Sequence, residues 1–187
     1  MPRSAGPQGG IISPLLANVA LHGLENDTKQ ALSAELFNYS KRKKRGASRT
    51  QARTALSIIR YADDFVIIHE SEEVIRKAQA YVEGWLRKMG LTLKPAKTGI
   101  THSLRSINGR KAGFDFLGFT IRQFLNKQAK KGYKSLIKPS LASQKRQARH
   151  IREKLRALRA ATQQEVIRRL NPIIRGWSRY YTAAVSR

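Results

Sequence analysis

Apolar positions recur along the chain with two different periods, and each period marks a different kind of element. Behind Ser13 and Pro14, an N-cap followed by a first-turn proline, Leu15, Leu16, Val19, Gly23 and Leu24 keep helical spacing. This predicts one helix from about Ser13 into the mid-30s. Residues 55–61 and 65–69 are short runs rich in β-branched and aromatic side chains, each suited to a strand, and the polar pair between them predicts a hairpin turning at 62–64. The helical period returns at Ser71, the expected cap. Val74, Ala78, Tyr81, Val82, Trp85 and Met89 form one stripe, Glu72 and Glu73 occupy the first turn, Arg87 and Lys88 the last, and Gly90 follows as a stop. A short β-prone run ends at His102, and residues 114–124 alternate as a further strand. A boundary is expected near 138–140, with three helices beyond it. The first carries Ala148, Ile151, Leu155 and Leu158 on one stripe. The second opens on the capping box Thr162-Gln163-Gln164-Glu165, and the third on Asn171-Pro172, with Ile173, Trp177, Tyr181 and Ala184 as its stripe. The pattern as a whole is α+β: antiparallel strands with packed helices over 1–138, then a helical unit over 139–187.

Charge changes this picture. Lys and Arg number 37 against 12 Asp and Glu, a formal charge of +25. Such an excess opposes compaction by self-repulsion, so a polyanionic partner is expected, nucleic acid ahead of an anionic membrane. Lys41, Arg42, Lys43, Lys44, Arg45, Arg49 and Arg53 crowd into residues 41–53 without one acid, which predicts an exposed, phosphate-contacting loop before the hairpin. From residue 126 onward the acids are Glu153 and Glu165 alone. Trp177, Tyr180 and Tyr181 are expected in the core rather than as a stacking platform. Zero cysteines exclude disulfides, thiol catalysis and zinc knuckles, and His22, His69, His102 and His150 lack metal-ligand spacing. No apolar run approaches the roughly 20 residues of a membrane span, and no signal-peptide pattern opens the sequence. A cytoplasmic protein with no membrane partner is the expectation.

Candidate chemistry rests on Tyr61-Ala62-Asp63-Asp64. Neighbouring side chains diverge along a strand but can converge at a tight turn. Two carboxylates so placed repel each other unless a cation lies between them, and the fitting cation is a hard, oxygen-loving ion such as Mg²⁺. Divalent ions held by aspartates at a strand turn serve two-metal phosphoryl transfer. On these four residues alone, a hydrated turn between two ordinary strands is the commoner meaning.

The wider motif set decides between them. Residues 7–18 (Pro7-Gln8-Gly9-Gly10 through Asn18), Tyr61-Ala62-Asp63-Asp64-Phe65, residues 91–98 and Phe116-Leu117-Gly118-Phe119 resemble successive reverse-transcriptase motifs. The stretch from Asn171-Pro172 to Tyr180-Tyr181 resembles the maturase, or thumb, domain of group II intron-encoded proteins. Motifs in this order are not explained by a basic structural protein of a ribonucleoprotein. The resemblance implies a partial palm over 1–138, a thumb over 139–187, and RNA-directed DNA polymerase ancestry. It implies that Asp63 and Asp64 hold catalytic Mg²⁺, or Mn²⁺, and that Tyr61 and Ala62 line the floor near primer and nucleotide. Gln8 would lie near nucleotide and template, and Lys97 would approach the triphosphate, where a cation offsets charge developing on the leaving group. Phe116, Leu117 and Gly118 would belong to the primer grip. RNA contacts are expected from Lys41, Arg42, Lys43, Lys44, Arg45 and Arg49, and from Arg146, Arg149, Arg175 and Arg179. The implied partners are an RNA–DNA template–primer, intron RNA, and an upstream fingers-and-palm fragment or second chain. The sequence also departs from the family. Six residues precede Pro7, none acidic, so the family's third aspartate and its fingers are not among these residues, and Gly6 abuts Pro7 directly. The expectation is a polypeptide inactive as a polymerase by itself. The alternative is a non-enzymatic, maturase-type RNA-binding protein that assists intron folding and splicing.

Overall fold

A computed structural model describes residues 13–43, 46, 48–107 and 109–182. Helices and antiparallel strands are mixed along the chain, an α+β fold. Packing divides it into two compact units, Met1–Ile100 and Thr101–Arg187. The boundary expected at 138–140 falls inside the second unit, where its last strand gives way to a helix.

In the first unit, α1 (Ser13–Ala20), α2 (Leu24–Ala31) and α3 (Ser33–Arg42) replace the single helix expected from Ser13. Gly23 sits between α1 and α2 with φ +86°, a left-handed conformation that ends a helical run and that glycine adopts without a Cβ penalty. Leu32 then joins α2 to α3 with φ −90° and ψ 7°. The expected loop at 41–53 is also partly helical: Lys41 and Arg42 close α3, and Arg49 opens α4 (Arg49–Thr54). Ser48 and Gln51 form a reciprocal capping box there. The Gln51 N–H donates to Ser48 Oγ at 3.2 Å and the Ser48 N–H to Gln51 Oε1 at 2.9 Å, so two orphan donors of the first turn are satisfied. Lys44 and Arg45 lie outside the described residues.

The hairpin forms where the pattern places it. β1 (Ser57–Tyr61) pairs antiparallel with β2 (Asp64–Ile68), Tyr61 facing Asp64 and Ile59 facing Val66. Behind it runs α5 (Glu72–Lys88), whose stripe nucleates two clusters. Val74 and Ala78 pack with Leu32, Leu36, Ala52, Leu56 and Ile58, while Val82, Trp85 and Leu86 pack with Leu21 and Leu24. Ile67 of β2 touches both clusters. Each fully buried aliphatic side chain contributes about 1.5–3 kcal/mol, and this seam therefore dominates the stability of the unit. The indole N–H of Trp85 donates to Asp27 Oδ2 at 3.0 Å, which lets a large ring enter the core without an orphaned donor. Two sequence expectations change here. Met89 is 47% exposed rather than part of the buried stripe. Ser71 occupies the N-cap position but makes no side-chain cap hydrogen bond, and its N–H donates to His69 Nδ1 instead.

In the second unit, His102 belongs to no strand. Its Nδ1 accepts the N–H groups of Leu104 and Arg105, and its carbonyl accepts that of Gly113. The strand expected over 114–124 is a hairpin, β3 (Phe114–Phe116) and β4 (Phe119–Leu125), extended by β5 (Tyr133–Pro139) into an antiparallel sheet of order β3-β4-β5. Two helices follow, α6 (Leu141–Ala157) and α7 (Gln163–Tyr180), where three were expected. Asn171-Pro172 lies within α7 rather than at a new start; the proline removes one backbone donor, and the helix continues through it. Thr162 caps α7, accepting the Glu165 N–H, but the Glu165 carboxylate turns forward to Arg168 and Arg169. Burial is sparse here. Among the described residues of this unit Ala112 is the one buried apolar side chain, with Ser140 and Ser143 as buried polar ones.

Candidate active site and nucleic-acid interface

The first unit presents its two aspartates at the hairpin end. Asp63 lies in the two-residue turn and Asp64 opens β2, and both are exposed. Ala62 has φ +53°. Ala62 and Leu117 are the non-glycine residues with positive φ among the described residues, and each sits at the tight turn of a motif. Such strain persists only where surrounding contacts hold the backbone, and it concentrates at functional sites. At Ala62 the contact is visible: Arg60 Nη1 donates to the Ala62 carbonyl at 3.1 Å and to Asn18 Oδ1 at 2.9 Å. One guanidinium thus fastens α1, which carries part of the 7–18 motif, to the aspartate turn. Asn18 closes the 7–18 motif, but its pairing with Arg60 is not legible in the sequence, because it spans 42 positions with no local signal.

Alternation places Tyr61 and Ile59 on the hairpin face opposite the core, together with Asp64, Val66 and Ile68 from the partner strand. That face is apolar and uncovered: Ile59 is 50%, Tyr61 65% and Ile68 43% exposed. On α1, Leu15, Leu16 and Val19 are each more than 60% exposed. Lys97 lies exposed in the turn at 95–97, its N–H bonded to the Lys94 carbonyl. Gln8 falls outside the described residues. As metal ligands, Asp63 and Asp64 offer hard carboxylate oxygens of the kind Mg²⁺ and Mn²⁺ take. Among the described residues no group of three His, Cys, Asp or Glu is placed to hold a metal ion. The donor type fits and the donor number is short.

In the second unit, Phe116 pairs with Phe119 across Leu117 (φ +49°) and Gly118 (φ +79°), positive at both central positions as a type I′ turn requires. Three residues clamp it. The Tyr180 hydroxyl donates to the Leu117 carbonyl at 2.7 Å and the Tyr181 hydroxyl to the Gly118 carbonyl at 3.3 Å. The Ser140 N–H, at the start of α6, also donates to the Gly118 carbonyl, at 2.7 Å. Phe119 stacks on Tyr180, with centroids 5.4 Å apart, and meets Tyr181 edge-on at 4.8 Å. Tyr180 and Tyr181, expected in the core, are instead 55% exposed and half-buried respectively, and at the end of α7 they immobilise the turn that carries the Phe-Leu-Gly-Phe motif.

The expected RNA-contacting cations separate into two groups. Arg146, Arg149, Arg175 and Arg179 are exposed and make no ion pair among the described residues. Arg42 is partly occupied, lying 3.7 Å from Glu73 and over the Tyr39 ring with Lys43, while Arg49 lies over Phe37. Hydrogen bonds from Arg168 and then Arg169 hold the Glu165 carboxyl down from 4.5 to about 2, so these two arginines already have an anionic partner.

Residues 3–121 match the family model for reverse transcriptase (RNA-dependent DNA polymerase). The chain belongs to the reverse transcriptase family. Residues 144–187 match the maturase-specific domain of group II introns, which places it with the group II intron reverse transcriptase/maturases. It is 29% identical over 161 residues to the group II intron-encoded protein LtrA of Lactococcus lactis subsp. cremoris, covering 64% of this chain and 26% of that protein. It is 34% identical over 131 residues to the protein YkfC of Escherichia coli strain K12, covering 60% of this chain and 31% of that one. The chain thus spans between a quarter and a third of the length of these relatives. Reverse transcriptases generally use divalent metal ions. Among the described residues no helix is long and apolar enough to cross a membrane.

Proposed function

We propose that this chain supplies the aspartate-turn part of an RNA-directed DNA polymerase centre together with a thumb that grips RNA, with palm residues over 1–138 and thumb residues over 139–187. The observation that carries the reading is the exposed Asp63-Asp64 pair at a strained turn fastened by Arg60, within a stretch that matches the reverse transcriptase model. Asp63 and Asp64 would hold Mg²⁺ or Mn²⁺. When bound, the ion supplies charge stabilisation to nucleotidyl transfer. Tyr61 and Ala62 form the floor beside the primer end, and Gln8 and Lys97 serve the nucleotide. Phe116, Leu117 and Gly118 orient the primer through a turn whose shape α7 fixes. Two carboxylates do not fix two metal geometries, and positioning is a large part of this catalysis. The 187-residue polypeptide by itself therefore binds template–primer without extending it. The exposed apolar side chains of α1 and those on the outer side of the hairpin suit a complementary segment bearing fingers and a third carboxylate.

A second reading, a maturase-type RNA-binding protein that assists intron folding, is favoured by the maturase-domain match and by Arg146, Arg149, Arg175 and Arg179 of α6 and α7, which make no ion pair among the described residues. Both readings demand RNA affinity. Arg146, Arg149, Arg175 and Arg179, with the cations of 41–49, engage phosphates of RNA or an RNA–DNA duplex and release counterions. Binding to an RNA–DNA template–primer measured across a salt series tests this. Affinity should fall steeply with salt, and Asp63→Asn should change it by less than about twofold. A salt-independent affinity would refute the phosphate-contact model.

A further inference from the structure

Between α6 and α7 lies a groove of ≈ 220 Å³ lined by Ser143, Arg146, Gln147, His150, Trp177 and Tyr181. Its two sides differ in chemistry. Trp177 and Tyr181, half-buried and with centroids 4.7 Å apart, make an aromatic wall. Ser143, Gln147 and His150 recur at helical spacing on α6 and make a polar one, with Arg146 beside them. The aromatic wall is fixed without any ligand, since Tyr181 is hydrogen-bonded to the Gly118 carbonyl and packed edge-on against Phe119. Gln147 is half-buried and its amide both donates and accepts, while Arg146 and His150 stand exposed at the rim. Lys145, Arg149 and Arg152 continue the positive charge along α6, and residues 101–187 carry 21 Lys or Arg against three acids. The volume is below the roughly 300–1,000 Å³ of drug-sized sites and suits one planar ring.

We propose that this groove is a stacking subsite for one unpaired RNA nucleotide. The base lies against Trp177, the Gln147 amide reads its edge, and Arg146 and His150 hold a flanking phosphate. The proposal rests on the RNA-binding reading above and deepens it. In an A-form duplex the bases are stacked and their faces inaccessible, so the groove favours single-stranded or bulged RNA over paired RNA. Charge selects the ligand class, because a purely apolar peptide would leave the cationic rim unmatched.

The test uses the full chain and three probes: a short oligouridylate, a duplex RNA with the same number of phosphates, and an abasic counterpart of the oligouridylate. Trp177→Leu should weaken oligouridylate binding about tenfold, the scale of one lost stack, and duplex binding by less than about twofold. Trp177→Phe should retain most of the affinity, and Gln147→Ala should lose a few-fold on the oligouridylate alone. Oligouridylate should quench the indole fluorescence of the unsubstituted chain, the abasic probe should not, and Trp177→Phe should abolish the quenching. If Trp177→Leu does not fold, Trp177→Phe, Gln147→Ala and the quenching comparison decide. Equal losses on single-stranded and duplex RNA, or quenching by the abasic probe, would overturn the stacking subsite while leaving RNA binding intact. Failure of the unsubstituted chain to bind either RNA would overturn the underlying RNA reading as well. Trp177-dependent binding of a phosphopeptide of equal charge in preference to oligouridylate would reassign the groove to protein recognition and overturn the proposal.

Discussion

Gly118→Ala is the substitution on which the account of the second unit can be judged. Its φ of +79° lies in the left-handed region, where an L side chain costs about 1–2 kcal/mol. A methyl group there would also stand 2.7 Å from Tyr181 Oη and 2.9 Å from Ser143 Oγ, closer than real Cβ contacts come. Moving Tyr181 aside breaks its hydrogen bond to the Gly118 carbonyl, a further net loss of about 0.5–1.5 kcal/mol. The sum, about 1.5–3.5 kcal/mol, is large for a unit with so few buried apolar side chains. Urea unfolding of the full chain, followed by near-ultraviolet circular dichroism, reads the change. Combining Gly118→Ala with Tyr181→Phe removes the nearer of the two clashing oxygens, while the Ser143 Oγ contact and the backbone strain remain. The double variant should then be more stable than the sum of the singles predicts by about 1 kcal/mol. Gly113→Ala is the control: its methyl would lie 2.6 Å from the Ile121 carbonyl oxygen, a backbone contact that Tyr181→Phe cannot relieve. A Gly118→Ala cost below about 0.5 kcal/mol, or strict additivity with Tyr181→Phe, would refute the clamp.

Further expectations concern the first unit, the helix start and the cationic surface. Arg60→Ala should release α1 from the aspartate turn and cost about 1–2 kcal/mol, seen as faster hydrogen exchange in α1; Asn18→Ala should give part of the same effect, non-additively. The folded-state pKa of Glu165 is depressed to about 2 from 4.5. Its contribution at the start of α7 is therefore complete above the ordinary carboxyl range and lost as pH falls through about 2. A carboxyl titration by NMR checks this, with Arg168→Gln expected to move the midpoint back toward 4.5. Neutralising Arg146 and Arg149 together should reduce the slope of log affinity against log salt by about 1.4–1.8, with little dependence on RNA sequence.

What the sequence discloses here follows physical range. The hairpin at the aspartates and helix α5 are written in local patterns: β-branched runs around a polar turn, and acids, stripe, bases and Gly90 in order. The helix break at Gly23 is not, because a glycine at helical spacing reads equally as a tolerated interior position or as a left-handed junction. β5 is hidden for a related reason. Lys134 and Lys138 alternate with Tyr133, Ser135 and Ile137 on a strand whose pairing with β4, rather than its composition, holds it in place. Asn171-Pro172 has the form of a helix start, yet α7 runs through it, so local preference yields to the surrounding packing. The candidate site residues divide in the same way. Asp63, Asp64 and the Phe-Leu-Gly-Phe turn lie in contiguous motifs and are legible. The bonds from Arg60 to Asn18 and from Tyr180 to Leu117 link positions 42 and 63 residues apart and become visible only in three dimensions.

Primer extension tests the central claim most directly. The chain is assayed alone, with a separate fragment supplying reverse-transcriptase fingers and an upstream aspartate motif, and as the combined components with Asp63→Asn, each with Mg²⁺ and with Mn²⁺. The account predicts template–primer binding without extension by the chain alone, extension by the combination, and loss of extension with Asp63→Asn at nearly unchanged RNA affinity. Robust extension by the chain alone would contradict the argument that its carboxylates are too few. Absence of extension in a combination shown to assemble on template–primer would contradict the polymerase reading and leave RNA binding as the function.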